Sequence, residues 1–465
     1  MMRHLAYATP VNPVASGISD YSEELLPYLG RYADITLYID DRLRPTNPLL
    51  ARHLTIRPIS KLARDHRRRP YDAILYQIGN SFAHAHIWQA LQRTPGVVVL
   101  HEYVLHHFML QYYASVLGDI DRYRAEAGMR YGPDGDRIAN LMMHGRFTEA
   151  AFDLPFCEDV LAQADGLIAH SQYVIARAAA LRQDLPAALV PMGVPLPQAI
   201  DPAAARARLG LPQQAPILAS FGHINPYKRI DATLRALRTL QADYPDLRYI
   251  LVGSASPSYD VRAAVLRAGM QEMVTITGYV ERNTFEDYVA AADICINLRH
   301  PTAGETSASL LRLLGAGRPT LITASGSFTE VPPGAAAQVD PDASEGDLIQ
   351  GYVRLLLQRP DLAKQLGATA RAYVAREHTL DGAALGYMRF LSARYGWNEP
   401  QPLRPPLWEI EPSAISHQPS AISHQKQTQI DPLITRLGTT IADLGATEDD
   451  TLLLERAAHA ARDLL

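Results

Sequence analysis

Cysteine is almost missing from this chain: Cys157 and Cys295 are the only two among 465 residues. They lie far apart in sequence and among apolar neighbours, so neither a disulfide framework nor a zinc site is expected, as befits a reducing compartment. Long apolar runs are missing as well. No stretch approaches the roughly 18 apolar residues of a membrane span, and the opening MMRHLAYATPVNP has too short an apolar run before its prolines for a secretory signal. An excess of positive charge is also absent. The formal net charge is −5, which leaves no electrostatic ground for nucleic acid as the main partner. These absences together give a cytoplasmic expectation. The basic run KLARDHRRR at 61–69 keeps peripheral contact with the inner face of a membrane in view, although a solvated charged loop before the next strand is the leading reading of it.

What remains has the composition of a globular protein, too long for one core, so two or three domains are expected. Short β-branched runs at 4–8, 33–39, 73–78, 97–100, 166–170 and 188–190 alternate with helical or loop stretches, the pattern of a parallel α/β sheet. Gly17 follows the first strand and opens a helix with Tyr21, Leu25, Leu26 and Leu29 on its apolar side, a place where backbone can approach a phosphate. The 97–100 strand ends on His101 and Glu102. His101, Glu102, His106 and His107 form HExxxHH rather than HExxH, which has the wrong spacing for zinc on one helical face.

Near residue 200 the pattern restarts. Strands are expected at 217–221, 249–252, 274–277, 294–298, 320–323 and 336–339, with helices at 261–268 and 284–292, then at 348–357, 360–377 and 380–395. The domains predicted are 1–197 and 198–378, both Rossmann-like and facing a cleft. A closing helix at 379–397 follows, then a proline-rich linker at 398–430 that carries PSAISHQ twice, and a small helical tail at 431–465. The fold class is thus α/β, two tandem Rossmann-like domains with a C-terminal helical extension.

The stretch 292–319 concentrates the chemistry. A buried strand gives way to a polar turn, then to a helix carrying Leu310, Leu311, Leu313 and Leu314, with Thr306 and Ser307 as its natural N-caps. Backbone N–H groups and the helix dipole would there face an anion beyond the strand end.

Four ordered elements resemble one family, the GT-B glycosyltransferases of family 4. They are Gly17-Ile18-Ser19-Asp20-Tyr21; the 164–171 segment with Pro191-Met192-Gly193-Val194; Phe221-Gly222-His223 through Lys228-Arg229; and Gly278-Tyr279-Val280 with Ala291-Ala292-Asp293 leading into 304–319. The resemblance spans about residues 1–395. It implies a retaining enzyme that moves a sugar from a nucleotide-sugar donor to a glycan or lipid-linked acceptor. It implies Glu305 and His101 as catalytic residues, and Gly17, Gly222, Lys228, Arg229, Thr306 and Ser307 as donor-binding ones. A departing nucleoside diphosphate gains negative charge, which Lys228 and amide donors would stabilise. Metal-independent transfer with no cofactor is expected, since Asp119 with Asp121 and Asp134 with Asp136 follow no strand.

Two departures stand out. The family has two glutamates eight positions apart, which fall here on Gly304 and Arg312; Glu305 is one place from the first, and Arg312 cannot accept a hydrogen bond from ribose. Arg229 stands where the family pattern has glycine. The missing acid at 312 and the helical tail, a candidate for self-association, motivate an alternative, a non-catalytic nucleotide-sugar-binding or scaffold subunit. An epimerase or phosphorylase on the same architecture ranks lower.

Overall fold

The computed structural model describes residues 2–14, 16–146 and 149–409; all of them except His144–Arg146 belong to one compact unit. The repeat-bearing linker from 410 onward and the predicted tail at 431–465 lie outside the described residues.

The N-terminal lobe opens with β1 (Arg3–Ala8), α1 (Gly17–Leu29), β2 (Ala33–Ile39), α2 (Pro48–His53) and β3 (Thr55–Pro58). It continues with α3 (Leu62–Arg68), β4 (Ala73–Ile78), α4 (Ala85–Arg93) and β5 (Gly96–Leu100). A helical insertion follows: α5 (His106–Tyr112), α6 (Ile120–Met143), which bends at Gly132, and α7 (Glu158–Gln163). β6 (Ala164–Ala169), α8 (Gln172–Leu181) and β7 (Ala187–Leu189) finish the lobe. Its parallel strands run β3-β2-β1-β4-β5-β6-β7.

The C-terminal lobe runs α9 (Pro202–Leu209), β8 (Ile217–Phe221), α10 (Ile230–Leu240), β9 (Arg248–Val252) and α11 (Val261–Ala268). Next come β10 (Val274–Gly278), α12 (Arg282–Ala291), β11 (Ile294–Asn297), α13 (Ala308–Gly315), β12 (Thr320–Thr323) and β13 (Ala337–Val339). Three helices close it: α14 (Glu345–Gln358), α15 (Pro360–Glu377) and α16 (Leu380–Tyr395). Its parallel sheet runs β10-β9-β8-β11-β12-β13. The central strands of both sheets are buried on both faces, which explains strands such as Val97-Val98-Val99 that are apolar throughout rather than alternating. In each sheet the strand order reverses once, between β1 and β4 and between β8 and β11, and open parallel sheets hold ligands outside the carboxyl ends of the strands at that point.

The lobes share a core. Leu310, Leu311 and Leu314 of α13 join one cluster with Met388 and Leu391 of α16 and with Leu5, Leu37 and Leu75 of the first sheet. Each such side chain contributes about 1.5–3 kcal/mol of apolar burial. The C-terminal helix crosses back onto the N-terminal lobe: Tyr387 meets Tyr21, hydroxyl to hydroxyl, at 3.2 Å, and a Cβ at Gly166 would lie 2.8 Å from Phe390. Among the described residues no helix is long and apolar enough to cross a membrane.

Candidate active site at the strand ends

β8 is wholly buried and ends at Gly222, whose φ of +85° favours glycine and whose absent Cβ would sit 3.0 Å from Lys228 Nζ. The ammonium can therefore fold back against the strand, where it donates to the Phe221 carbonyl. Lys228 is only 9% exposed. Burial, and secondarily Arg299, push its pKa down to about 7, while Glu305 pulls it up.

Arg299 follows β11 and is placed by its own backbone N–H on Thr323 Oγ1 at 2.7 Å. Its guanidinium donates to Glu305 and lies 5.8 Å from the Phe328 ring centroid. Glu305 is buried, and its second oxygen accepts from Thr302 Oγ1 at 2.8 Å. Its backbone carbonyl accepts from Ser327. Two cations thus stand around one carboxylate at the ends of β8 and β11, a surplus positive charge at the point where the sheet reverses. Arg299 was not singled out in the sequence, although a charged residue directly after a buried strand is the available signal.

Ser307 is the N-cap of α13 and accepts from Leu310 N at 3.2 Å. Thr306, expected to share that role, instead donates its hydroxyl to the His170 carbonyl of the other lobe at 3.3 Å, so of the two only Ser307 caps the helix. Arg229, expected as a second phosphate cation, is already paired: Nε and Nη2 donate to Glu345 at 2.8 and 2.6 Å. Its φ of +56° explains why the family pattern has glycine there. Gly17 opens α1 behind the N-cap Ser16, and a Cβ on it would meet nothing within 4 Å, so open space lies beside it.

His101, expected at the reaction centre, is buried. Its Nε2 is 2.7 Å from Gln77 Oε1, and its ring packs against Tyr21 and His170. Burial, then His170 and His84, hold its pKa well below the ordinary value, so it is a neutral imidazole packed within the N-terminal lobe. Its neighbour Glu102 is the acid that senses the other lobe. Burial, then Glu305, raise its pKa to about 7, against the Asn80 N–H and Arg299. His84, Trp88, His106 and Tyr112 are buried in the core, whereas His86 pairs with Asp40 at the surface.

Arg312 has a partner that the sequence did not reveal. Its Nη2 lies 2.8 Å from both oxygens of Glu24 on α1, and Arg282 Nη1 donates to the same carboxylate at 3.1 Å. Glu24 is 1% exposed and stands three residues after Tyr21, on the buried side of α1. Burial works against the Arg312 charge, but Glu24 outweighs it and holds the guanidinium pKa above its usual range. Glu330 accepts from the Gln172 and Tyr173 amides at the start of α8, at 2.9 and 2.7 Å. Together with Val104 N on the Ala303 carbonyl at 3.0 Å, these bonds seam the lobes along the 303–307 loop.

The acidic pairs are consumed locally. Asp136 holds Arg124, Asp134 holds Arg137 and Asp119 accepts from Arg122 N. Among the described residues no three His, Cys, Asp or Glu side chains gather as a metal would require. Both cysteines are free and buried.

Comparison with known proteins covers the two lobes unequally. Residues 215–358 match the family model described as glycosyl transferases group 1. D-inositol 3-phosphate glycosyltransferase of Streptomyces scabiei is 32% identical over 190 residues, 37% of this chain and 40% of that protein. The chain spans about two-fifths of the length of the curated relatives it matches. Among solved structures, sucrose-phosphate synthase from Thermosynechococcus elongatus superposes with a TM-score of 0.61 at 18% identity, over 85% of this chain and 99% of that one. Anabaena HepE in complex with UDP gives 0.59 at 16% identity, over 84% and 100%. The chain therefore has the GT-B fold, and its residues 215–358 are similar to the glycosyl transferases group 1.

Proposed function

We propose that this protein transfers a sugar from a nucleotide-sugar donor to a hydroxyl of a glycan or lipid-linked acceptor, with retention and without a divalent cation. The observation that carries this reading is the pair of cations, Lys228 and Arg299, around Glu305 at the switch point of the lobe that matches the family. As the bond between the anomeric carbon and the diphosphate breaks, negative charge grows on the departing oxygen. A lysine held against a strand end, an arginine one strand away and the amides opening α13 are suited to stabilise it. The acceptor oxygen takes the anomeric carbon, and its proton leaves with the diphosphate or to solvent. Glu305 lies within the same cluster and is the residue assigned to the donor sugar; Gly17 and Gly222 supply close backbone approach. With its pKa pushed down to about 7 by burial, Lys228 is about half discharged at neutral pH, and a bound diphosphate would recharge it.

UDP of the Anabaena structure and the inositol phosphate named for the Streptomyces relative belong to those proteins; here they support the ligand class, a nucleotide sugar and a hydroxylated acceptor. Peripheral membrane contact is proposed through Lys61, Arg64, Arg67, Arg68 and Arg69, all exposed on and around α3. The test is thermal-shift and calorimetric screening with UDP, GDP, ADP and their sugars, followed by product analysis. One nucleoside diphosphate should raise the unfolding temperature in proportion to its affinity. No binding of any of them at millimolar concentration would contradict the reading.

A further inference from the structure

We propose that residues 397–408 form a strap that caps the C-terminal end of α1 and so positions Glu24 against Arg312 and Arg282 of the other lobe. The strap is thus a positioning element for the seam between the lobes, whichever ligand the site takes.

The last turn of α1 is weak by itself. Pro27 stands inside the helix and brings no N–H for the Glu23 carbonyl, and no basic residue in the last turn answers the helix dipole. Gly30, at the C-cap, has a φ of −61° and continues the right-handed turn instead of closing it with a left-handed cap. The donors come from far along the chain. Leu407 N donates to the Pro27 carbonyl at 3.0 Å, and Leu403 N to the Arg31 carbonyl at 2.8 Å. Arg404 supplies the missing cation: Nε donates to the Gly30 carbonyl at 2.6 Å, and Nη2 to the Ala33 carbonyl and to Asp34 Oδ1 at 2.9 and 3.1 Å. Carbonyls at a helix end have no intrahelical partner, and the strap provides one.

Packing agrees with the hydrogen bonds. A Cβ at Gly30 would overlap the Leu407 side chain. Trp408 is buried in the same core as Leu25, Leu26 and Leu29, with its ring 5.6 Å from that of His53. At the other end of the strap the Arg3 guanidinium lies 4.6 Å from the Trp397 ring centroid. The stretch 398–408 reads in sequence as the head of a proline-rich linker. Its prolines Pro402, Pro405 and Pro406 cost it no bond, because the donors are Leu403, Arg404 and Leu407.

Glu24 stands one turn before Pro27. Its carboxylate takes Arg312 on α13 and Arg282, the first residue of α12, so both helices of the other lobe depend on where that carboxylate sits. Charge-assisted bonds weaken steeply as donor and acceptor move apart. α16 also holds α1, through Tyr387 on Tyr21 and Asp381 on Arg31. Loss of the strap therefore releases the last turn and leaves the helix in place.

The test is hydrogen exchange read by mass spectrometry on the full chain without ligand, comparing wild type with Arg404→Ala, Arg404→Lys and Glu24→Gln. In Arg404→Ala the amides of the last turn of α1 should exchange about five- to tenfold faster, the effect of losing a charged cap. Across the seam, α12 and α13 should exchange about threefold faster, while β5 and β8 keep their protection. Arg404→Lys, which keeps the cation, should recover part of both changes. Glu24→Gln should reproduce the change in α12 and α13 and leave the last turn of α1 as in wild type. Should Arg404→Ala fail to fold, Gly30→Ala probes the same contact. The Gly30 backbone admits alanine, so faster exchange in α1 that Leu407→Ala reverses in the same chain supports the strap. Unchanged exchange of α1 in both Arg404→Ala and Gly30→Ala overturns the proposal. So does a faster α1 with α12 and α13 unmoved, or equal acceleration in every strand. Failure of every nucleoside diphosphate to bind would count against sugar transfer alone, since the exchange measurement needs no nucleotide.

Discussion

At the ends of β8 and β11 the C-terminal lobe gathers Lys228 and Arg299 around Glu305; at the ends of β4 and β5 the N-terminal lobe gathers His84, His101 and Glu102. The two sheets have the same parallel construction and the same single reversal of strand order, yet one switch point is cationic and the other is lined by neutral imidazoles and an acid. A shared fold fixes where polar groups can gather without fixing their sign. The cationic end is the one the proposed transfer would use for its charged leaving group. A seam of the buried Glu24 with the half-buried Arg312 and Arg282 joins the lobes.

That seam is where the comparison breaks most easily. Arg312→Glu restores the acid of the family pattern but sets it beside the buried Glu24 carboxylate, leaving charge unpaired. The expected cost is roughly 3–5 kcal/mol in urea unfolding. Replacing both Glu24 and Arg312 by Met should recover most of it, because the desolvation of both charges is relieved together.

The imidazoles set the acid limit of the N-terminal lobe. His84, His106 and His170 are each pushed down to about 4, chiefly by burial. Folded values below the ordinary 6.5 mean that the unfolded chain binds more protons between about 6.5 and 4, so stability falls as pH drops through that window. Each group accounts for at most roughly 3 kcal/mol by pH 4. Urea midpoints from pH 7 to 4.5 should fall, and His170→Gln should flatten the decline. Ser307→Ala probes the opposite lobe more gently: loss of the Ser307 cap on Leu310 N should cost about 1 kcal/mol.

The C-terminal lobe was the more legible. Strand runs such as ILASF and the turn holding Lys228 stand out because apolar strands end abruptly on glycine and charge, and the resemblance then orders them. The fold class and most strands were readable for that reason. The N-terminal lobe hid more. β3 (TIRP) has half-exposed residues and no apolar run, and the helical insertion of α5 to α7 carries its buried faces on histidine, tyrosine and phenylalanine, types that also occur at surfaces. Glu24 drew no notice in the sequence, since a buried carboxylate can be recognised only when its arginine, 288 residues away, is seen beside it. His101 was found as a strand-end residue, but the direction of its ring, toward Gln77 rather than the other lobe, is a tertiary fact. Arg229 was read as a donor-binding cation because its partner Glu345 is 116 residues distant.

Calorimetry of UDP, GDP and ADP against the wild type and Lys228→Met, between pH 6 and 8.5 and in buffers of different ionisation enthalpy, reaches the central claim most directly. The ammonium, pushed down to about 7 chiefly by burial, should be recharged by a diphosphate. One nucleotide should therefore bind with proton uptake above about pH 7 and weaken as pH rises, and the variant should lose that uptake together with roughly 10- to 100-fold in affinity. Equal affinity and equal proton uptake in the two proteins would contradict the account.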